Sequence, residues 1–276
     1  MCAGYLRGKF EEIAITAYNI NVSSSVNDFN SIALKYIASD NRGHAISCPD
    51  QIVGKIKVKK DGGIEDWKVG WIEDWCDKNS RCGISNSHKP IIAIVVESPH
   101  KDEFNRESKK AIGPARGSTG RNIENYLPSV LFNYLPAIDE TSSLIEYDSN
   151  KQIQNGEYYI ALINAIQYQC SLGEDTSKYR DKIFSEMWGL EKVKKDFIKR
   201  LKKSNPSVII NCCTRGNFKD NKEELFLRNL VQSTIDEFLL EQNNNKNILC
   251  LRAAHPSSVH FQNGLSFLKG SVTTNG

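Results

Sequence analysis

The chain has 276 residues, of which 39% are hydrophobic and 25% charged, as is ordinary for a globular protein. Its net charge of +3 does not by itself indicate a nucleic-acid partner, and no apolar run of about eighteen residues predicts a membrane span. The first residues lack the apolar core of a signal peptide, so we expect a cytoplasmic protein. The eight cysteines are scattered without a CxxC pair, which predicts buried thiols and no metal site.

The first ninety residues show no regular alternation of strand and helix patterns. We therefore predict an N-terminal extension over residues 1–90, of unknown role, packed on a main domain over residues 91–276. Residues 26–39 have the pattern of a short helix. Four apolar side chains further on recur every three or four residues, which predicts one stripe along a helix, more often core than a base-stacking surface. They are Ile64, Trp67, Trp71 and Trp75.

Four apolar runs without polar alternation predict strands buried on both faces: 91–97, 158–165, 207–213 and 248–254. Helical patterns lie between them, over 121–135, 180–203 and 222–241. This alternation predicts an α/β protein with three α/β/α layers and a four-stranded parallel central sheet. Right-handed crossovers would bring the carboxyl ends of the strands to one edge of the sheet, where ligands bind in open α/β sheets.

Polar side chains stand at the ends of three of these strands. Glu97 opens the run Glu-Ser-Pro-His, Asn164 ends the second strand, and His255 follows the fourth. Each has an ordinary interpretation alone, as a helix cap, a turn residue or a backbone hydrogen-bond partner. Together, a carboxylate, an amide and an imidazole at one edge could carry out acid–base chemistry on a neutral ligand.

These motifs resemble the uracil-DNA glycosylase superfamily, closest to its family 4 branch. That family has Gly-Glu-Ala-Pro-Gly after its first strand, an asparagine ending its second and His-Pro-Ser after its fourth. The last is matched by 255–257, and the glycine spacing of a further motif recurs at Gly117 and Gly120. The resemblance covers about residues 91–261. The sequence departs from the family at two positions: Val96 stands where relatives have a glycine, and Ala115 where they have a base-stacking phenylalanine. The cysteines of the family's iron–sulfur cluster have no counterpart, so we predict no cofactor.

The resemblance implies a monofunctional DNA glycosylase that hydrolyses the bond to a flipped base and leaves an abasic site. Glu97 would orient the water and offset the sugar's positive charge, His255 would donate to the base oxygen O2, and Asn164 would read the Watson–Crick edge. A larger set would form the base pocket: Ser98, Pro99, His100, Ala115 and Tyr168. Because Ala115 leaves room, we expect a bulky modified pyrimidine, with glucosylated hydroxymethylcytosine of phage DNA as the best candidate. Tyr168 or Phe104 could instead close the pocket.

The expected partner is double-stranded DNA with a modified or aberrant base, bound by a monomer. The loop and helix start after residue 113 suit phosphate binding, although a solvated basic loop is equally plausible. Its predicted contacts are Arg116, Ser118, Thr119 and Arg121. The loop after His255 would supply Ser257, Ser258, Val259 and Phe261, with Val259 or Phe261 as an apolar wedge unless Phe261 packs inward. Alternatives are a uracil-DNA glycosylase of base-excision repair, a non-catalytic DNA-binding relative, and an enzyme acting on free nucleotides or nucleosides.

Overall fold

The computed structural model describes residues 47–69, 89–105, 111–113, 117–131, 153–170, 176–216, 226–242, 248–263 and 266–267. Several predictions fall on other parts of the chain. The helix over 26–39, the stripe residues Trp71 and Trp75, and the site residues Ala115 and Arg116 lie outside the described residues.

Seven strands of the described chain form one sheet in the order β2-β1-β4-β3-β5-β6-β7. The strands are β1 (Gln51–Val58), β2 (Ile64–Val69), β3 (Ile91–Val96), β4 (Gly156–Asn164), β5 (Pro206–Asn211), β6 (Leu249–Arg252) and the two-residue β7 (Ser266–Phe267). The described α-helices are α1 (Ser118–Leu131), α2 (Thr176–Trp188), α3 (Glu191–Ser204) and α4 (Leu227–Gln242). None of the helices described is both long and apolar enough to cross a membrane.

The protein is α/β, as the alternation of patterns predicts, but its sheet is larger and mixed. The four predicted strands are parallel neighbours in the order β4-β3-β5-β6. The expectation of a four-stranded sheet is wrong because β1 and β2 extend it antiparallel at one edge and β7 at the other. Strand β1 belongs to the segment predicted as an extension. It buries Val53, Ile56 and Val58 and exposes Lys55, the pattern of a strand with only part of its surface in the core.

The helical stripe predicted from Ile64 is wrong in its described part, since Ile64–Val69 is strand β2. Two features of the hairpin explain the spacing of three. Asp66 has a φ of 49°, and the pairing of β1 with β2 shifts register between Lys55 and Lys57. These irregularities interrupt the two-residue alternation of a strand, and Ile64 and Trp67 both pack on the same hydrophobic cluster. Trp67 Nε1 also donates a hydrogen bond to the carbonyl of Glu124 in α1, at 2.8 Å.

Two hydrophobic clusters lie on opposite faces of the sheet. Alternate residues of β3 point to each: Ile91, Ala93 and Val95 join the cluster of α2, α3 and α4, whereas Ile92, Ile94 and Val96 join that of α1. Aromatic rings fill the first cluster, with Trp188 stacked on Phe184 at 5.4 Å. Helices therefore cover both faces, and the polar chemistry is left to the ends of the strands.

The helix boundaries differ from the predicted segments for local reasons. The segment 180–203 is two helices separated by Gly189 and Leu190. Helix α3 ends where Asn205 takes a left-handed conformation and its N–H donates to the carbonyl of Leu201. Helix α1 continues through Pro128 to Leu131 within the described chain. The prediction of buried thiols is confirmed at four described cysteines: Cys48, Cys170, Cys212 and Cys213.

Candidate active site at the strand ends

The parallel register brings the carboxyl ends of the four central strands to one edge. Val96 lies opposite Asn164, and Asn211 lies opposite both Val95 and Arg252. Hydrogen bonds carry this alignment into the following loops: Ile166 N–H donates to the carbonyl of Glu97 at 2.9 Å, and Ala253 N–H to that of Asn211 at 3.1 Å. The segments carrying Glu97, Asn164 and His255 are therefore held along the same edge.

Glu97 and His255 contact each other directly. Glu97 is only 2% exposed, and its Oε2 lies 3.2 Å from His255 Nε2. Its Oε1 accepts a hydrogen bond from the backbone N–H of Thr214 at 2.5 Å. Burial by itself raises the pKa of Glu97, but the charges of His255 and Arg180 and these hydrogen bonds outweigh it and hold that pKa far below its usual range. Glu97 is therefore a carboxylate at neutral pH.

The other side of the His255 ring is held by its own loop. The N–H of Ser257 lies 3.1 Å from Nδ1, and the Ser257 hydroxyl oxygen lies 2.8 Å from the same atom. A neutral ring that accepts at Nδ1 carries its proton on Nε2, and a protonated ring carries one on both nitrogens. In both forms an Nε2 proton faces Glu97. The Nε2–H group of His255 could donate a hydrogen bond to an anionic leaving group. In this structure it points at the carboxylate of Glu97.

Asn164 is fully buried, yet neither atom of its amide group has a hydrogen-bond partner within the described part of the chain. Alternation along β4 puts its side chain on the face of Leu162, which belongs to the cluster beneath α1. Leaving a buried amide unpaired costs about 1–3 kcal/mol, so such a group calls for a partner, which a bound ligand or a water could supply. The hydroxyl of Thr214 is a second buried polar atom of this edge without a partner among the described residues.

The loop after β3 is organised by contacts within itself. Pro99 is buried and Ser98 half-buried. His100 Nδ1 lies 3.3 Å from Asp102 Oδ2 and accepts the N–H of Asp102 at 3.3 Å. The His100 ring is thus held by its own loop. Phe104, the other candidate to close the pocket, is buried and forms an isolated bridge with Ala111.

Tyr168 lies in the loop after β4, where it forms an isolated antiparallel bridge with Ser47. Its ring packs against the cluster of α2, α3 and α4. Alternation places Asn164 on the opposite face, so the structure does not bring the Tyr168 ring and the Asn164 amide together on one face of the sheet. Burial raises the pKa of Tyr168, which keeps its hydroxyl neutral.

The start of α1 presents polar groups to solvent. Ser118 and Arg121 are exposed and Thr119 is half-buried. Gly117 has a φ of +79°, a conformation that favours glycine, and Arg121 N–H donates to its carbonyl at 3.2 Å. Asn122 Nδ2 donates to the carbonyl of Pro256 at 2.6 Å, which ties α1 to the His-Pro-Ser loop. Two predicted DNA-binding segments are therefore neighbours.

The loop after His255 separates the two candidate wedge residues. Phe261 is 1% exposed and packs with α1 in the core, so its prediction as a DNA-contacting wedge is wrong. The 3-10 turn Phe261–Asn263 directs its ring inward. Val259 is 75% exposed, Ser257 is exposed and Ser258 is half-buried. Only Val259 remains available as the apolar tip of this loop.

The sequence reasoning missed four residues that shape this edge. Thr214 acts through its backbone N–H, which no residue type signals in advance. Arg180, paired with Asp181 at 2.7 Å, adds positive charge near Glu97. Asp50 and Arg200 hold the main chain at Asn164. Arg180 and Arg200 lie in the amphipathic segment 180–203, where a charged residue usually occupies a solvated position, and Asp50 lies in the N-terminal segment, where no pattern indicated it.

Comparisons with protein-family models, with curated proteins and with solved structures gave no match to this chain.

Proposed function

We propose that this protein is a monofunctional DNA glycosylase with a uracil-DNA glycosylase-like central domain. It hydrolyses the N-glycosidic bond of a flipped, bulky modified pyrimidine, with glucosylated hydroxymethylcytosine of phage DNA as the leading candidate. One observation carries the proposal: a buried carboxylate that stays ionised contacts an imidazole N–H, at the same sheet edge as a buried amide that has no partner among the described residues. These are the three groups that the chemistry requires.

The reaction builds positive charge on the sugar and negative charge on the departing base. The bond between C1′ and the base nitrogen breaks as a water oxygen bonds to C1′. Because its pKa is so low, Glu97 is a weak base. Its role is to offset the charge on the sugar and to orient the water, whose proton leaves to solvent after the bond forms. His255 turns its Nε2 proton from Glu97 to the base oxygen, where negative charge develops.

Asn164 supplies recognition of the flipped base. Its amide group offers one acceptor and two donors, and the base edge would provide the partners that the described part of the chain does not supply. An amide pairs with uracil in one orientation and with cytosine in the other. Base choice therefore depends on the size of the space around the C5 position as well as on Asn164.

The surface around this edge suits a DNA backbone. Arg121 and Ser118 stand at the exposed start of α1, and Ser257 lies on the neighbouring loop. Backbone N–H groups at a helix start and side-chain hydroxyls bind phosphate. Val259, at the exposed tip of the same loop, could occupy the space left in the duplex by the flipped base.

The test uses duplexes that contain one uracil, hydroxymethylcytosine or glucosylated hydroxymethylcytosine, incubated with the protein and then treated with alkali. We expect alkali-sensitive sites at the glucosylated base, with slower reaction at uracil. Glu97→Gln should lower the rate by about 100-fold or more, since one catalytic electrostatic contact is worth that much. Lys202→Gln, in a surface pair with Glu241, is the matched control and should leave the rate unchanged. Equal or faster cleavage at uracil would contradict the bulky substrate, and no cleavage of any duplex would contradict the glycosylase.

A non-catalytic DNA-binding relative is the second candidate, because Glu97 and His255 satisfy each other inside the protein. Measurements of DNA affinity and of abasic-site formation distinguish a non-catalytic binder from a glycosylase. A binder would bind duplex DNA with an affinity that falls steeply with salt, and Glu97→Gln would leave that affinity unchanged while no abasic site forms.

A further inference from the structure

The side chain of Arg200 is only 14% exposed, and its guanidinium contacts four groups at the end of β4 and on its own helix. Nη1 lies 2.8 Å from Asp50 Oδ2 and donates to the carbonyl of Asn164 at 2.9 Å. Nη2 donates to the carbonyl of Ala165 at 2.9 Å, and Nε to Asp196 Oδ2 at 2.8 Å. Two successive carbonyls at the strand end are thus fixed by one rigid, always charged fork.

Asp50 contacts both Arg200 and the backbone of Asn164, and we call Asp50 and Arg200 together the clamp. Its Oδ2 pairs with Arg200, and its Oδ1 accepts the backbone N–H of Asn164 at 3.2 Å. Both backbone polar groups of Asn164 therefore bond to the same ion pair. The amide side chain of this residue, in contrast, has no partner among the described residues.

One half of the clamp, Asp50, comes from the segment predicted only as an extension. Asp50 immediately precedes β1, which runs antiparallel to β4 with Gln51 opposite Leu162. Before it, Cys48 N–H donates to the carbonyl of Gln167 at 2.8 Å. Residues 47–50 therefore run beside the end of β4 and the loop that follows it.

We propose that Asp50 and Arg200 are positioning residues that fix the backbone of Asn164 and so aim its unpaired amide at the base. This inference rests on the proposed function of Asn164. No hydrogen bond from the described residues orients the Asn164 amide, so its direction depends on the main chain that carries it. A displacement of about 1 Å at a reacting site can cost a factor of 100 in rate.

The chain offers a matched control at the same guanidinium. Asp196 binds Arg200 through Nε, but it is half-exposed, and its contact with Arg200 does not involve Asn164. Asp196→Asn removes a carboxylate from Arg200 and leaves the contacts at the strand end in place. Asp50→Asn removes the buried carboxylate that joins Arg200 to Asn164. Arg200→Lys keeps the positive charge, but its single nitrogen cannot form the forked contacts.

On the best DNA substrate, Asp50→Asn should lower kcat by about 100-fold. KM should change little, because the proposed DNA contacts lie on α1 and on the loop after His255. The preference between the three modified duplexes should also weaken, which a loss of stability alone would not cause. Asp196→Asn should change kcat by less than about fivefold, as expected for a half-exposed ion pair.

The deciding experiment records amide NMR spectra and hydrogen exchange of the isotope-labelled full chain as wild type and as each variant. We expect Asp50→Asn to shift the side-chain NH₂ signals of Asn164 and to speed exchange of its backbone N–H. Asp196→Asn should leave both as in wild type. Arg200→Lys should act like Asp50→Asn, and it decides the matter if Asp50→Asn does not fold.

The inference is overturned if the folded clamp variants leave the Asn164 signals unchanged, or if Asp196→Asn moves them equally. These spectra need no catalytic turnover. A wild-type protein that cleaves none of the duplexes would therefore contradict the proposed function, while the spectra would still decide whether Asp50 and Arg200 position Asn164.

Discussion

Two asparagines end strands of the same sheet, and both are buried, but their surroundings differ. Asn211, at the end of β5, donates from Nδ2 to the carbonyl of Arg228 at 3.0 Å and to Gln232 Oε1 at 2.9 Å. Its Oδ1 accepts the N–H of Cys213 at 3.1 Å. The amide group of Asn164, at the end of β4, has no partner among the described residues. The same residue type at the ends of two parallel strands is structural in one case and unsatisfied among the described residues in the other.

The contrast indicates where a ligand belongs. Asn211 uses its hydrogen bonds to tie β5 to α4, so a ligand would gain nothing from it. The side-chain amide of Asn164 forms no hydrogen bond with any described residue, so a base edge could pair with its donors and its acceptor. Glu97 and His255 are an intermediate case, because each is the partner of the other inside the protein. They must be separated before either can act on a substrate.

The largest effect on stability is expected at the Glu97–His255 pair. His255→Ala leaves a buried carboxylate without its main partner, which should lower the free energy of unfolding by about 3–5 kcal/mol. The double variant Glu97→Gln with His255→Ala removes the buried charge as well and should recover part of this loss. Urea unfolding of the three proteins measures it. A loss below about 1 kcal/mol for His255→Ala would mean that the pair is well solvated.

The two asparagines should respond in opposite directions to removal of their amides. Asn211→Leu orphans three bonded groups and should lower the free energy of unfolding by about 2–3 kcal/mol. Asn164→Leu removes an unpaired buried amide and should raise it by about 1 kcal/mol. Urea midpoints at constant slope report both changes. Equal destabilisation by the two substitutions would show that Asn164 already has partners in the free protein.

A further test of the Glu97–His255 pair concerns pH. The pKa of Glu97 in the folded protein lies below its ordinary value of 4.5. The ionised carboxylate therefore stabilises the fold fully above about pH 5, and this contribution is lost as the pH falls through the folded pKa. The stability difference between wild type and Glu97→Gln should narrow as the pH falls below about 5. A difference that does not narrow there would contradict the low pKa of Glu97.

The parallel centre of the sheet could be predicted from sequence because its strands are apolar on both faces. This apolar pattern is visible in the sequence in the runs that begin at Ile91, Tyr158, Ser207 and Ile248. Since these strands are parallel neighbours, the residues at their ends, Glu97, Asn164 and His255, fall at one edge. Strand β1 was missed because lysines interrupt its apolar residues, and β2 because its irregular pairing imitates the spacing of a helix.

The candidate site could be predicted only in part for a different reason. Residue types pointed to Glu97, His255 and Asn164, but not to their bonding. The contact of Thr214 with Glu97 comes from a backbone N–H, and the clamp of Asp50 and Arg200 joins residues 150 positions apart. The difference between Asn164 and Asn211 likewise depends on α4, because the Arg228 carbonyl and the Gln232 side chain accept hydrogen bonds from Asn211.

The most direct test of the account is the release of free base from a duplex containing glucosylated hydroxymethylcytosine, followed by mass spectrometry. Wild type, Asn164→Leu and Asn211→Leu are compared at a temperature where all three are folded. We expect wild type to release the free modified base and leave an abasic strand, Asn211→Leu to follow it within about fivefold, and Asn164→Leu to be slower by about 100-fold or more. Release by Asn164→Leu at the wild-type rate would contradict the central claim that this unpaired amide reads the flipped base.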